Sequence, residues 1–198
     1  DFGLSYLDVS GMAAYSTEKN IVQWQDQKST KMVEAYPLKP TIGMEDGGFE
    51  VEVVLIEKPE SNVFPFYIDG YEGLDFFYQP ALDQEKQDDP NIASCTATEC
   101  VDKEGNLLLE RAENIVGSYA VYAKDSNIGT GKVGHIYRPK VVDASGNEVW
   151  AEMTYNDGLL EVVVPEEFLA KAAYPVRVDP TFGYGVVGGS TVLGIAAD

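Results

Sequence analysis

The sequence contains few of the residues that hydrolytic catalysis commonly uses. Among 198 residues there is one histidine, His135, with two cysteines and two tryptophans. A Ser–His–Asp or Cys–His mechanism would have to use His135, and no Gly-x-Ser-x-Gly motif is present to carry a nucleophile. His135 falls in the alternating segment 133–137, which favours a strand histidine packed on aromatic rings. We therefore predict that the protein is not an enzyme.

Basic residues are also scarce. Lysine and arginine number 14 against 33 acidic residues, so the formal net charge is -19. An excess of negative charge repels phosphate, and this argues against binding to nucleic acid or to an anionic membrane surface. No apolar run approaches the roughly 20 residues of a membrane-spanning helix. The predicted partners are other copies of the chain or adjacent β-rich domains in an extracellular setting.

The clearest structural signals lie between residues 133 and 181. Turn sequences at Asp143–Asn147 and Asn156–Gly158 separate alternating segments, and Asp-Gly supplies the positive φ angles of a tight hairpin turn. Pro165, followed by two glutamates, begins a short helix near residues 165–172. Two further prolines predict that residues 174–181 form a short edge strand or an extended exit segment.

Short strands with turn signals about 8–12 residues apart indicate an all-β protein. We predict an antiparallel β-sandwich of jelly-roll or immunoglobulin-like type with one short helix. Residues 1–48 are interpreted as an N-terminal segment packed on or feeding the sandwich. Residues 49–182 form the sandwich, with an acidic, cysteine-containing loop and embedded hairpin at 81–114. Residues 183–198 are a glycine-rich tail or an assembly strand.

The two cysteines, Cys95 and Cys100, lie in a polar segment and favour a local disulfide in an oxidising compartment. The alternative is a pair of free thiols in a cytosolic protein. A zinc site would need more ligands than these two residues and the distant His135.

Acidic residues raise two further hypotheses. Hard cations bind several carboxylate oxygens, so two clusters are candidate calcium sites, although neither has the spacing of an EF-hand loop. No other cofactor is predicted. The candidate ligands are Asp83, Asp88, Asp89 and Asp102, the last with Glu104 and Asn106 beside it. Glu50 and Glu52 have the alternate spacing of a carboxylate pair in a sandwich glycosidase, but a solvated strand face is the favoured interpretation.

Aromatic residues near the middle of the chain suggest either core packing, which is favoured, or a sugar-binding surface. The set comprises Tyr67, Tyr71, Phe76, Phe77 and Tyr78. The candidate carbohydrate contacts are Trp24, Tyr71 and Tyr78.

Four segments carry a resemblance: LDFFYQPAL, ENIVGSYAVYAKDS, KVGHIYRPKVVDASGNEVWAEM and LLEVVVPEEFLAKAAYPVRVDPTFGY. Over residues 49–184 the chain resembles an uncharacterised β-rich module of secreted, surface or virion-associated proteins of bacteria and their phages. The ending YPVRVDPT is similar to the one that precedes RHS-type or DNRLRE-type regions. The resemblance implies an extracellular, structural setting and assigns no catalytic residue. The segment 88–110 looks like an insertion relative to that module.

The C-terminal tail is apolar and carries no charge until Asp198. Its candidate assembly residues are Val186, Val187, Val192, Leu193 and Ile195. Such a segment is either a linker or a strand that adds to the sheet of a neighbour. We therefore predict a non-catalytic structural or assembly module of an extracellular, cell-surface or virion filament or fibre, which joins its neighbours through its termini. The alternative is a carbohydrate-binding or carbohydrate-cleaving sandwich.

Overall fold

The computed structural model of the chain describes residues 3–7, 13–16, 21–25, 28, 30–41, 44–85, 87–125 and 131–184. Within them are short strands, one turn of 3-10 helix (Tyr71–Gly73) and one short α-helix, α1 (Glu166–Leu169). The strands are β1 (Gly3–Tyr6), β2 (Ala13–Ser16), β3 (Val22–Gln25), β4 (Lys31–Leu38), β5 (Gly48–Leu55), β6 (Val63–Asp69), β7 (Leu74–Gln79), β8 (Ser94–Cys95), β9 (Glu99–Val101), β10 (Leu107–Glu110), β11 (Ser118–Ala123), β12 (Lys132–Ile136), β13 (Lys140–Val142), β14 (Glu148–Trp150), β15 (Glu152–Asn156), β16 (Leu159–Val163), β17 (Val176–Asp179) and β18 (Thr181–Tyr184).

The strands form an antiparallel, sandwich-like fold, as predicted. The small sheet has the order β1-β6-β16-β15. The large sheet runs β2-β3-β4-β5, continues with β17 and β18, and then divides into two branches. One branch is β13-β14 beside β17, and the other is β12-β11-β7 beside β18. Strands β8, β9 and β10 form a separate three-stranded sheet. Strands β1 and β4, from the first 48 residues, belong to the small and the large sheet respectively.

The core consists of alternate side chains from the two main sheets. On β5, Val51, Val53 and Leu55 are buried in it, and on β17 so are Val176 and Val178. Because successive side chains of a strand point to opposite faces, the residues between them lie on the other side of the large sheet. We call that side the outer face. It carries Glu34, Glu50, Glu52, Ser118, His135, Arg177, Asp179 and Thr181.

Both predicted hairpin turns are confirmed. Asp157 and Gly158 have φ angles of 45° and 85° and join β15 to β16. Between β13 and β14, the Asp143 carboxylate accepts hydrogen bonds from the backbone N–H groups of Ser145 and Asn147, each at 2.9 Å. Local turn chemistry therefore fixes the register of these two hairpins.

The predicted short helix is also confirmed. Helix α1 begins directly after Pro165 and carries two glutamates in its first turn. Leu169 is buried, and Phe168 and Ala172 pack against the core. Tyr174 Oη donates a hydrogen bond to the Leu169 carbonyl at 2.8 Å, which ties the end of the helix to the chain that follows it.

The prediction of an edge strand at residues 174–181 is wrong. Strand β17 lies inside the large sheet, between β5 and β13. One register extends through β18, since Val176 pairs with Leu55 and Gly183 pairs with Gly48. Pro180 is tolerated because it falls between β17 and β18, where the neighbouring strand is also interrupted between β12 and β13.

The strand predicted at residues 115–122 begins later than expected. Residues 113–117 form turns, Ile115 is buried there, and β11 starts at Ser118. No helix of the described part of the chain is long and apolar enough to cross a membrane.

Candidate functional site

The segment predicted as an acidic loop contains the three-stranded sheet. Cys95 and Cys100 pair directly across β8 and β9 and form the predicted disulfide, with their Cα atoms 4.1 Å apart. The predicted hairpin is present, because Asp102 accepts backbone hydrogen bonds from Glu104 and Asn106 and closes the turn between β9 and β10. The chain therefore carries one disulfide-linked three-stranded sheet in addition to the two main sheets.

This three-stranded sheet is anchored by a buried arginine. The Arg111 side chain is buried, donates a hydrogen bond to the Pro80 carbonyl, and forms an ion pair with Glu85 at 3.0 Å. Its backbone N–H bonds the Thr98 carbonyl at 2.7 Å. Leu82 and Cys100 are buried as well, and the Leu82 backbone N–H donates to the Ala97 carbonyl at 3.0 Å.

One edge of the three-stranded sheet, strand β10, is apolar and exposed. Leu107, Leu108 and Leu109 on β10 are 51%, 38% and 38% exposed. Among the described strands, β10 pairs only with β9, through a register shift at Leu108. An exposed edge with unpaired backbone groups is a template for the addition of another strand. We call Leu107–Glu110 the β10 edge.

The outer face of the large sheet holds a cluster of carboxylates around one arginine. Arg177 forms ion pairs with Glu52 and, at 3.4 Å, with Glu34. Gln23 also donates to Glu34. The prediction that Glu52 lies on a solvated strand face is wrong, because Glu52 is only 5% exposed. Burial raises the pKa of Glu52 to about 6, although Arg177 opposes the shift.

Two further carboxyl groups, those of Glu50 and Asp179, lie beside this cluster. Thr181 Oγ1 donates to Glu50 at 2.9 Å and lies 3.4 Å from Asp179 Oδ1. Burial, together with the negative charges of Glu50 and Glu52, raises the pKa of Asp179 to about 8. Desolvation and a hydrogen bond to Glu50 raise the pKa of Tyr36 as well. The cluster is therefore stabilised by a hydrogen bond from protonated Asp179 to Glu50 and by the Arg177 guanidinium.

Replacing Arg177 with methionine is expected to destabilise the fold by about 1–3 kcal/mol. Removing one partner of a buried ion pair leaves the other charge uncompensated. For fully buried pairs this lowers the free energy of unfolding by about 3–5 kcal/mol. The effect is smaller here because the Arg177 side chain is 48% exposed, and solvent screens the interaction. Urea denaturation at pH 8 measures the change. Lys124→Met, which removes an exposed pair with Asp75, is the control. Equal midpoints for both variants would contradict the prediction.

The single histidine is buried on the same outer face. His135 Nε2 lies 2.6 Å from Ser118 Oγ, and Ser118 Oγ donates to the Ile115 carbonyl. The His135 ring lies against Tyr137, with ring centroids 4.8 Å apart. Among the described residues, Nδ1 has no hydrogen-bond partner. Burial lowers the pKa of His135 to about 3, so the ring is neutral. Both side chains are inaccessible to a substrate, and the predicted strand histidine packed on an aromatic ring is confirmed.

The predicted calcium ligands do not form a ligand set in the part of the chain that the structure describes. No group of three or more His, Cys, Asp or Glu residues is placed there to hold a metal ion. Asp102 is used by its turn, where Asn106 hydrogen bonds lower the pKa of the carboxyl group. Asp89 accepts hydrogen bonds from Asn91. Asp83 and Asp88 lie in the segment before β8. Calcium binding stays a prediction.

The three predicted carbohydrate contacts lie on separate elements. Trp24 on β3 and Tyr71 in the 3-10 helix pack against the core, and Tyr71 makes an edge contact with Tyr67 at 6.0 Å. Tyr78 on β7 is half exposed. The five predicted assembly residues of the tail, Val186, Val187, Val192, Leu193 and Ile195, lie outside the described residues.

The sequence interpretation missed Arg177, Asp179 and Arg111. Arg177 and Asp179 alternate with Val176 and Val178, and this period of two was the available signal that they share one face of a strand. Arg111 had no local signal, because its partner Glu85 and the carbonyl that it binds are distant in sequence.

Comparisons with protein families, with curated proteins and with solved structures found no match to this chain.

Proposed function

We propose that this protein is a non-catalytic assembly module of an extracellular, cell-surface or virion fibre. The observation that carries the proposal is the β10 edge, an apolar edge exposed on the three-stranded sheet that a disulfide and a buried arginine hold in place. Strand addition at such an edge gives affinity through backbone hydrogen bonds and specificity through alternate side chains. A rigid acceptor edge limits the conformational entropy lost on association.

The occupant that we propose for the β10 edge is the tail of a neighbouring copy, residues 186–195. With a net charge of -19, two copies repel each other wherever their acidic surfaces approach. The tail is uncharged over these residues, and β10 presents three leucines before Glu110. Contact between the tail and the three leucines brings no charged side chains together. Their apolar side chains also lose water-exposed surface on pairing.

The disulfide is compatible with an oxidising, extracellular compartment. The resemblance of residues 49–184 to modules of secreted and virion proteins supports the same setting. The burial of His135 and Ser118 supports a role without hydrolysis, since substrate has no access to them.

Deleting residues 185–198 is expected to convert the assembled protein into a monomer of about 20 kDa, because the donor strand is lost. The double substitution Leu107→Glu and Leu109→Glu is expected to do the same, since charge on an edge strand opposes pairing. Multi-angle light scattering over a concentration series measures the mass, with the full chain of 21.6 kDa as the reference.

Ile56→Glu is the matched control, because Ile56 is a comparably exposed apolar residue, at 42%, away from β10. It should leave the mass unchanged. A full chain that stays at 21.6 kDa over the whole series would refute the assembly function. Loss of assembly on tail deletion, but not in the double variant, would refute the β10 edge as the acceptor.

A further inference from the structure

A groove on the open side of the sandwich is not used by the proposed assembly function. It has a volume of about 560 Å³, within the ~300–1,000 Å³ typical of small-molecule sites. Residues of β7 and β11, at one edge of the large sheet, line one side, and residues of β15, at the edge of the small sheet, line the other. Its lining includes Tyr78, Tyr119, Arg138, Glu152 and Thr154.

Two tyrosines form the aromatic side of the groove. Tyr78 is 50% exposed, and its ring lies 5.4 Å from that of Tyr119, which is buried. Tyr119 also contacts Tyr155, whose ring stacks on Phe76 at 4.1 Å. The exposed ring is therefore supported from behind by packed rings and does not need to be ordered when a ligand arrives. A rigid aromatic surface with one wet side suits a ligand that has both apolar and polar faces.

Arg138 supplies hydrogen-bond donors at the same groove. Its Nε donates to the Ala151 carbonyl at 3.0 Å, and its guanidinium lies 5.7 Å from the centre of the Trp150 ring. These contacts fix the side chain and leave its two terminal amino groups without an acceptor among the described residues. A positioned guanidinium with free N–H groups is prepared for hydrogen bonds to a ligand oxygen.

Glu152 and Thr154 supply acceptors on the opposite side. They are alternate residues of β15, so their exposed side chains point to the same side of the strand, opposite to the buried side chain of Met153. In the described part of the structure, Glu152 forms no ion pair with Arg138, although both line the groove. The groove thus presents donors and an acceptor that do not satisfy each other.

We propose that this groove binds a neutral saccharide of one or two units. A sugar ring has an apolar C–H face for Tyr78 and hydroxyl groups that both donate and accept, matching Glu152 and Arg138. The net charge of -19 and the carboxylate of Glu152 act against uronic or sialic acids. A saccharide in the groove and a neighbouring copy at the β10 edge would occupy different surfaces, since none of residues 107–110 lines the groove.

The test is binding of the full chain to an immobilised array of neutral oligosaccharides built from glucose, galactose, mannose and N-acetylglucosamine, with uronic-acid and sialylated glycans alongside. Isothermal titration then measures the affinity of the best neutral ligand. Tyr78→Ala and Glu152→Gln are each expected to weaken binding about tenfold or more, as loss of a central contact does.

Phe77→Ala is the matched control, because Phe77 is the next residue of the same strand, 52% exposed, and turned to the other face. It should leave the affinity unchanged. Melting temperatures of all three variants, measured in parallel, show that each remains folded. Binding to no neutral glycan, binding to acidic glycans alone, or equal affinity for wild type and Tyr78→Ala would each overturn the proposal. None of these outcomes bears on the oligomeric mass.

Discussion

Raising the pH from about 6.5 to about 9 is expected to lower the free energy of unfolding by a few kcal/mol, and Asp179→Asn should remove most of that loss. Asp179 has a pKa of about 8 in the folded chain, against 3.8 for the unperturbed group. The folded state therefore binds one more proton than the unfolded state between these values. Each pKa unit of such a difference contributes about 1.4 kcal/mol.

The sign follows from the direction of the shift. Because the folded pKa is raised, the contribution is complete below pH 4 and is lost as the pH rises through 8. The pKa of Glu52 is raised only to about 6, so its contribution to stability is lost at lower pH than that of Asp179. Asp179 therefore accounts for the change in stability above pH 6.5. The groups facing Asp179 are Glu50 and Glu52 on β5, Thr181 on β18, and Lys140, its partner on β13. The Lys140 amine is bound to Glu148 at 2.7 Å.

Urea denaturation at steps of half a pH unit from pH 6.5 to 9 measures this fall in the free energy of unfolding. Asparagine is a neutral isostere of the protonated acid and can donate to Glu50 in the same way, so the Asp179→Asn curve should be nearly flat. Asp83→Asn, which alters an exposed carboxyl, should keep the wild-type slope. A wild-type curve that is already flat above pH 6.5 would show that Asp179 is ionised in the folded protein.

The second large effect is expected on the acid side and depends on His135. Its pKa is lowered from 6.5 to about 3 by burial, with the charge of Lys132 adding to the shift. Between these values the unfolded chain binds a proton that the folded chain excludes. Stability from this group is therefore complete above about pH 6.5 and is lost as the pH falls toward 3, again by about 1.4 kcal/mol per unit.

His135→Gln is expected to be less sensitive to acid than the wild type over pH 6.5 to 4. Its amide can donate to Ser118 Oγ in place of Nε2, and it carries no proton below pH 6.5. The contributions of Glu52 and Asp179 to stability increase as the pH falls through the same range. The quantity to compare is therefore the difference between the wild-type and His135→Gln stability curves. A difference that stays constant with pH would mean that His135 is protonated in the folded chain.

Local chemistry explains which parts of the fold were predictable. The Asp-Gly turn, the turn closed by Asp143, the proline-initiated helix and the Cys95–Cys100 disulfide each depend on residues a few positions apart. Their geometry follows from turn and helix propensities that act within a short segment. The sandwich class follows from the repetition of such signals.

The parts that could not be predicted depend on distant pairs. Glu52 looks like a solvated strand residue until Arg177, far along the chain, is placed beside it. Pro180 argues for an edge strand, and only the interruption between β12 and β13 shows why the sheet interior tolerates it. The Tyr78 groove likewise joins two sheet edges whose meeting no local pattern records. Periodicity assigns a residue to a face but does not identify its neighbours.

The pairing of β5 with β17 and β18 has a consequence for how the chain reaches its fold. Residues 48–55 can pair with β4 as soon as they are made, but they meet β17 and β18 only after residues 176–183 have been made. Such non-local pairing incurs loop-closure entropy before any contact compensates it, and it slows folding. During synthesis, β5 is one-sided and both branches of the large sheet lack their central strand. Until β17 and β18 emerge, the nascent chain therefore exposes unpaired strand edges, and such edges make it prone to aggregation.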